Sequence, residues 1–277
     1  MASTMSFLHP AAPQETPLLF RLPIELRQHI YSYILPSTTS YASHFPPAAS
    51  EPSNSEFSLT FVRETLGAGV WKMQRTLPNT SRKAGSDIVW RRGWTALLAT
   101  NHQIHEECVD LIYGDNTFVI DVAYDSIKFR YRWVLPSNLT PSKSYSFLDH
   151  FSQRNLLRIR NYIVNVEHVD SYTGMIKYNC GGRGLTAGIR QQVQNLVELL
   201  SLVPSLHHVH VHLIDGAISR VRFPSGRLHR VQDEENCAVA QTVLDPLFRL
   251  YGVRRAAVTG VTTEYMTRLE EQMTGSR

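Results

Sequence analysis

Cysteine is scarce in this chain. Of 277 residues only Cys108, Cys180 and Cys237 are cysteines, and no two stand close enough for a CxxC pair. The odd number and wide spacing argue against a disulfide framework and a cysteine-ligated zinc site, and fit a reducing compartment. Long apolar runs are missing too: nothing approaches the roughly 18 continuous residues that a membrane-crossing helix needs. The opening residues, MASTMSFLHPAAPQETP, have neither a basic start nor an apolar core, so no secretory signal is expected. Charge of one sign is modest, since 28 basic against 24 acidic side chains leave a net charge of +4. That is far short of a nucleic-acid-binding tail. These absences leave a cytoplasmic or nuclear protein as the expectation. Its composition is ordinarily globular, 43% apolar and 19% charged, and its length allows one large or two small domains.

What is present begins with LPIELRQHIYSYIL, residues 22 to 35. Pro23 suits the first position of a helix, because its φ is preset and its missing N–H is not needed there. Pro36 ends the helix by lacking a donor. At 100° per residue, Leu22, Leu26, Ile30, Tyr33 and Ile34 fall in one sector. Ile24, Tyr31 and Leu35 form a second sector beyond Arg27, and Glu25, Gln28, His29 and Ser32 face water. Two apolar sectors imply two neighbours. Either both lie inside the domain, or one sector meets the core and the other a partner.

Along the chain, residues 1–17 read as a disordered leader. PSTTSYASHFPPAASEPSNSE, dominated by Pro, Ser, Thr and Ala, opens a flexible insertion spanning 36–93, within which FSLTFV has the pattern of a short strand. Structure resumes at residue 94. Leu97, Leu98, Ile104, Cys108, Leu111 and Ile112 recur at helical spacing, with a capping box at Thr100 and Gln103 and a stop at Gly114. NTFVIDV then reads as a strand. In the C-terminal half three strand-like segments, IRNYIVNVEHV, SLHHVHVHLID and GVRRAAVTGV, begin at residues 159, 205 and 252. They are separated by the helical patterns RQQVQNLVELLSLV and CAVAQTVLDPLFRLY and followed by TEYMTRLEEQM. The expected fold class is therefore α/β (mixed α+β), with βα units building a largely parallel sheet over 122–277 and a hint of short, divergent solenoid repeats.

LPIELRQHIYSYIL resembles the first helix of the F-box, with Leu22, Pro23, Glu25, Leu26, Ile30, Ser32 and Tyr33 in place and Ile34 where leucine is usual. Together, FRLPIELRQHIYSYIL and LLATNHQIHEECVDLIYGDNTFVI look like a large group of fungal F-box-like proteins, most of them uncharacterised. The resemblance implies a helical module over 18–35 and 94–121 that docks a Skp-type adaptor of cullin–RING ubiquitin ligases. The region 122–277 would then bind a target protein that the sequence does not name. Carried over, the partner-binding residues are Leu22, Pro23, Leu26, Ile30 and Ile34. The chain departs from the F-box pattern in three ways: residues 36–93 intervene between the helices, Asn101 and His102 stand where cysteine and arginine are common, and the usual tryptophan after the last helix is absent.

Chemical motifs were weighed against this reading. On a strand, His208, His210 and His212 share one face, the arrangement of a possible zinc or iron site, while Val209, Val211 and Leu213 share the other. No carboxylate beyond Asp215 accompanies them, so a recognition surface is the preferred reading and no metal or cofactor is expected. His105-Glu106 lacks the second histidine of HExxH. Gly182, Gly184 and Gly188 do not fit GxGxxG and no GK[ST] follows, so a flexible loop is expected there rather than a phosphate cradle. Basic clusters at 128–133, 154–160 and 219–230 belong to no recognisable nucleic-acid module and read as solvated faces. No enzyme is inferred. Three functions stay open: an F-box-like substrate receptor, an adaptor-independent scaffold or interaction protein, and a metal-dependent enzyme using the histidine strand.

Overall fold

The structure, a computed structural model, describes residues 17–41, 60–67, 70–76, 83–169, 182–214, 218–222, 228–232 and 234–276. The expected leader, Cys180, Asp215 and most of 42–82 lie outside the described residues. A 3-10 turn, Leu18–Arg21, leads into helix α1, Ile24–Ile34. Pro23 stands one place earlier than expected, capping the helix with an extended ψ of 151°. Leu35 is also extended, at ψ 156°, as the residue before a proline must be to avoid its ring.

The expected insertion is ordered at both ends, which corrects the reading of 36–93 as wholly flexible. Strand β1, Ser37–Ser40, pairs antiparallel with β4, Ile88–Arg91, and Val89 and Trp90 are buried. A low-complexity stretch can be held when a neighbour supplies backbone partners and apolar anchors; here the anchors come from the far end. Between them β2, Thr60–Gly67, and β3, Val70–Thr76, form a hairpin that extends the FSLTFV strand. The hairpin joins β10, Ile218–Arg222, and β11, Leu228–Gln232, in a four-stranded sheet ordered β10–β11–β2–β3.

A second 3-10 turn, Thr95–Ala99, precedes helix α2, His102–Gly114. Its cap is Asn101, whose side chain accepts from the Ile104 N–H at 3.0 Å. Thr100 instead donates to the Leu97 carbonyl at 2.7 Å. The expected cap was thus one residue early, because asparagine caps at least as well as threonine.

Mixed α/β architecture follows, with seven α-helices and a six-stranded sheet among the described residues. The sheet runs β12–β9–β8–β5–β6–β7. Strands β5 (Thr117–Val122), β8 (Asn161–Glu167), β9 (His208–Ile214) and β12 (Arg255–Thr259) are mutually parallel. β6 (Ile127–Arg132) and β7 (Ser142–Ser146) continue as an antiparallel meander. The three segments read as repeats are neighbours in one register, Asn161 beside His208 beside Arg255. The boundary expected after residue 121 falls inside β5, so the helical module and the sheet share a strand rather than forming separate domains.

Alternation assigns the faces. Tyr162, Val164 and Val166 of β8, Val209 and Val211 of β9 and Val258 of β12 point into the main core. That core is closed by α5 (Gly182–Leu200), by the 3-10 helix Gln241–Arg249 and by α7 (Thr263–Thr274). Short helix α3 (Phe147–His150) covers the meander, α4 (Gln153–Leu156) packs against α2, and α6 (Glu234–Ala240) precedes the 3-10 helix. Helix α5 starts at Gly182, where a flexible glycine loop was expected. Gly188 has a packing reason, since a Cβ there would lie 2.3 Å from the Tyr124 ring. The stretch after Ala240 tightens from α to 3-10 because Pro246 supplies no N–H for the α-helical ladder. No described helix is long and apolar enough to cross a membrane.

Candidate functional site

Helix α1 rests on α2 through a small cluster of its own: Tyr31 and Leu35 against Ile104 and Cys108, flanked by Leu19, Phe20, Leu97 and Leu98. At its centre lies an ion pair. The Arg27 guanidinium grips Glu107 with two bonds, Nη2 to Oε1 at 2.7 Å and Nε to Oε2 at 3.0 Å. Its third edge donates to the Leu22 carbonyl at 2.7 Å, and its plane lies 5.8 Å from the Phe20 ring centre. Glu107 also accepts from the Tyr31 hydroxyl at 3.2 Å and from Gln103 at 2.9 Å. Bidentate guanidinium–carboxylate geometry fixes orientation as well as distance, which sets the angle at which α1 lies on α2.

Proton affinities follow from this packing. Hydrogen bonding to Arg27 is the main reason the Glu107 carboxyl is held below its usual range, against the opposing effect of burial. Burial foremost, then the Glu107 charge, pushes the Tyr31 hydroxyl up to about 12. The same two causes push the Cys108 thiol up to about 11. A thiol so placed is chemically quiet.

With Arg27, Tyr31 and Leu35 turned inward, the opposite face of α1 is left to solvent. Leu26 is 51% exposed, Ile24 43%, Ile30 38% and Tyr33 77%. Pro23 is exposed, while Leu22 and Ile34 are half-buried. Of the five expected partner-binding residues, Pro23, Leu26 and Ile30 are open to solvent, while Leu22 and Ile34 are partly covered. Ile24, expected beside Tyr31 and Leu35, belongs to the exposed side. Leu18 and Trp94, which the sequence reading missed, add exposed apolar surface near the two ends of the helix. Trp94 is fixed there by its N–H, which donates to the Ile34 carbonyl at 2.8 Å. Arg27 was missed as a clamp, although its place between two apolar sectors already put it on the buried side.

Asn116 ties the module to the sheet. Its side chain donates to the Ile112 carbonyl at 2.9 Å and to the Pro36 carbonyl at 3.3 Å, and accepts from the Thr38 N–H at 2.5 Å. Thr38 in turn accepts from the Thr117 N–H at 3.0 Å. The NTF triplet of the sequence therefore caps α2, anchors β1 and starts β5.

The histidine strand is engaged differently. His210 Nε2 and His212 Nδ1 both contact the Thr259 hydroxyl, at 3.0 and 2.8 Å. Burial and the positive charge of Arg255 lower the pKa of His208; burial and its histidine neighbours lower that of His210. Among the described residues no three histidine, cysteine, aspartate or glutamate side chains converge as metal ligands.

The basic clusters at 128–133 and 154–160 are largely spoken for, while the side chains of 219–230 lie outside the described residues. Arg130 donates to the Ala84 carbonyl at 2.9 Å, and Arg132 bonds Ser86 and Thr140. Arg154 and Arg158 both reach Glu106.

A sequence family described as "Domain of unknown function (DUF7730)" matches residues 12–222, and that description carries no F-box assignment. No curated protein and no solved structure matches the chain.

Proposed function

The chain belongs to the DUF7730 family, and we propose that it is a protein-interaction protein, an F-box-like substrate receptor that docks a Skp-type adaptor through the outer face of α1. One observation carries the reading: a row of apolar side chains from Pro23 to Tyr33 stays in water on a helix whose other face is locked by Arg27 and Glu107. A helix that served only its own core would have little reason to expose Leu26, Ile30 and Tyr33 together, whereas an apolar row on a rigid helix suits helix-mediated docking. The LPIELRQHIY resemblance supplies the partner's class. The histidine-bearing face of β9 and its neighbours would then serve target recognition.

An adaptor-independent scaffold is the second reading. Helices that only packed internally would leave neither apolar sector of 22–35 exposed, which Leu26 and Ile30 contradict; the reading stands only if the exposed row meets another protein. Titration calorimetry of the purified chain against a Skp-type adaptor, beside Leu26→Asp, separates the two. Binding that the substitution lowers by at least about tenfold supports the receptor. No binding by the folded chain, or equal binding by both proteins, rejects it.

A further inference from the structure

Where the helical module meets the antiparallel edge of the sheet there is a cavity of about 430 Å³. We propose that this cavity binds a small, neutral, planar aromatic molecule carrying a hydroxyl or N–H donor. The inference is independent of adaptor docking, since the cavity lies between α2 and the sheet and none of its lining residues belongs to α1.

Its walls are aromatic and braced. Trp90 meets Phe118 edge-on at 5.4 Å, Phe118 meets Phe129 at 5.5 Å, and Phe129 meets Phe151 edge-on at 5.2 Å. Rings held by one another in this way keep their positions without a ligand, so the space is preformed. Its volume lies in the range of small-molecule pockets, roughly 300–1,000 Å³.

Polarity narrows the class. No lysine, arginine, aspartate or glutamate lines the cavity, so a formal charge inside would lack a partner. A cation is further disfavoured because the Lys143 ammonium already lies 5.1 Å from the centre of the Tyr145 ring, one of the walls. The polar side chains that line it are two histidines, three tyrosines, Asn155 and Thr95, and each type can accept a hydrogen bond. His105 donates from Nδ1 to the Leu98 carbonyl at 2.8 Å, so the ring nitrogen that can accept from a ligand is Nε2. Asn155 donates from its amide nitrogen to the Tyr113 hydroxyl at 3.2 Å, leaving its oxygen with accepting capacity. Aromatic walls with acceptors and no charge suit a phenol-like or indole-like ring system.

The test titrates the full chain with 2-naphthol, naphthalene, 7-hydroxyflavone and tetramethylammonium, following tryptophan fluorescence and calorimetry. For the hydroxyflavone a dissociation constant on the order of 100 μM is expected from its size. Thr95, exposed at the rim, is the site for a plug: Thr95→Trp should weaken hydroxyflavone binding at least tenfold while the melting temperature stays unchanged. His105→Phe should erase the preference for 2-naphthol over naphthalene and leave naphthalene binding in place. Failure of the folded wild-type chain to bind either hydroxylated probe overturns the proposal. So does binding that Thr95→Trp leaves unaltered, or tighter binding of tetramethylammonium than of 2-naphthol.

Discussion

Glu106 and Glu107 are adjacent in sequence, yet they hold different parts of the molecule. About 100° of helical rotation separates them. Glu107 therefore faces α1 and Arg27, while Glu106 faces the segment after β7, where Arg158 and Arg154 reach it. Hydrogen bonding to these arginines is the first cause that holds each carboxyl below its ordinary range. A carboxylate with a depressed folded-state pKa stabilises the fold above its unfolded pKa, and that contribution disappears as pH falls through the folded value. Glu107→Gln keeps the size and removes the charge. It should lower the melting temperature near neutral pH by about 2–4 °C, the shift that a loss of about 1 kcal/mol gives in a large domain. The gap to wild type should close as pH drops from the usual glutamate range downward. Thermal unfolding followed by circular dichroism across pH 3 to 8 checks this; a gap that widens in acid would mean that Glu107 is not the stabilising charge.

At the scale of one helix, the two faces of α1 should answer substitution in opposite ways. Leu26→Asp places a charge on a face already in water and should change unfolding free energy by less than about 1 kcal/mol. Tyr31→Ala removes a fully buried ring and the hydroxyl bond to Glu107, and should cost about 3–5 kcal/mol. Urea unfolding of the two variants beside wild type provides the comparison, and equal losses would contradict the assigned orientation. Element type was largely legible in the sequence: α1, α2, β5 and the β8–β9–β12 register all carry the expected period. Orientation was not. Periodicity groups Leu26 with Ile30 but cannot tell which sector faces the core, because that depends on a partner 80 residues away, Glu107. The same limit hid the order at the ends of the 36–93 insertion. Ser37–Ser40 has no apolar pattern of its own and is held by Ile88–Arg91. The aromatic cavity drew on residues from Pro36 to Asn155, none of which forms a motif with the others in the chain.

In the whole molecule α1 is fastened at its C-terminal end. The backbone N–H of Trp94 bonds the Ile34 carbonyl, Asn116 holds Pro36 and Thr38, and Trp90, the strand partner of Thr38, sits in the main core. The helical module, the β1–β4 ribbon and the six-stranded sheet are therefore one mechanical body, and a partner that engages α1 must use its outer face without lifting it. Cys108 reports on this. It is fully buried beneath α1, and its raised pKa adds a chemical barrier to the steric one. A maleimide should modify Cys108 slowly in the native chain, as peptide mass spectrometry would show, with buried Cys237 as the internal reference. Trp90→Ala, which loosens the ribbon from the core, should raise the Cys108 rate at least tenfold and leave Cys237 nearer its native rate. Saturating adaptor should leave the Cys108 rate no faster than in the free protein, because docking on Leu26 and Ile30 keeps Tyr31 and Leu35 in place. A rate that rises with adaptor would mean that α1 swings away from α2 on binding, and the apolar cluster beneath it, rather than the outward row, would then be the surface that the partner uses.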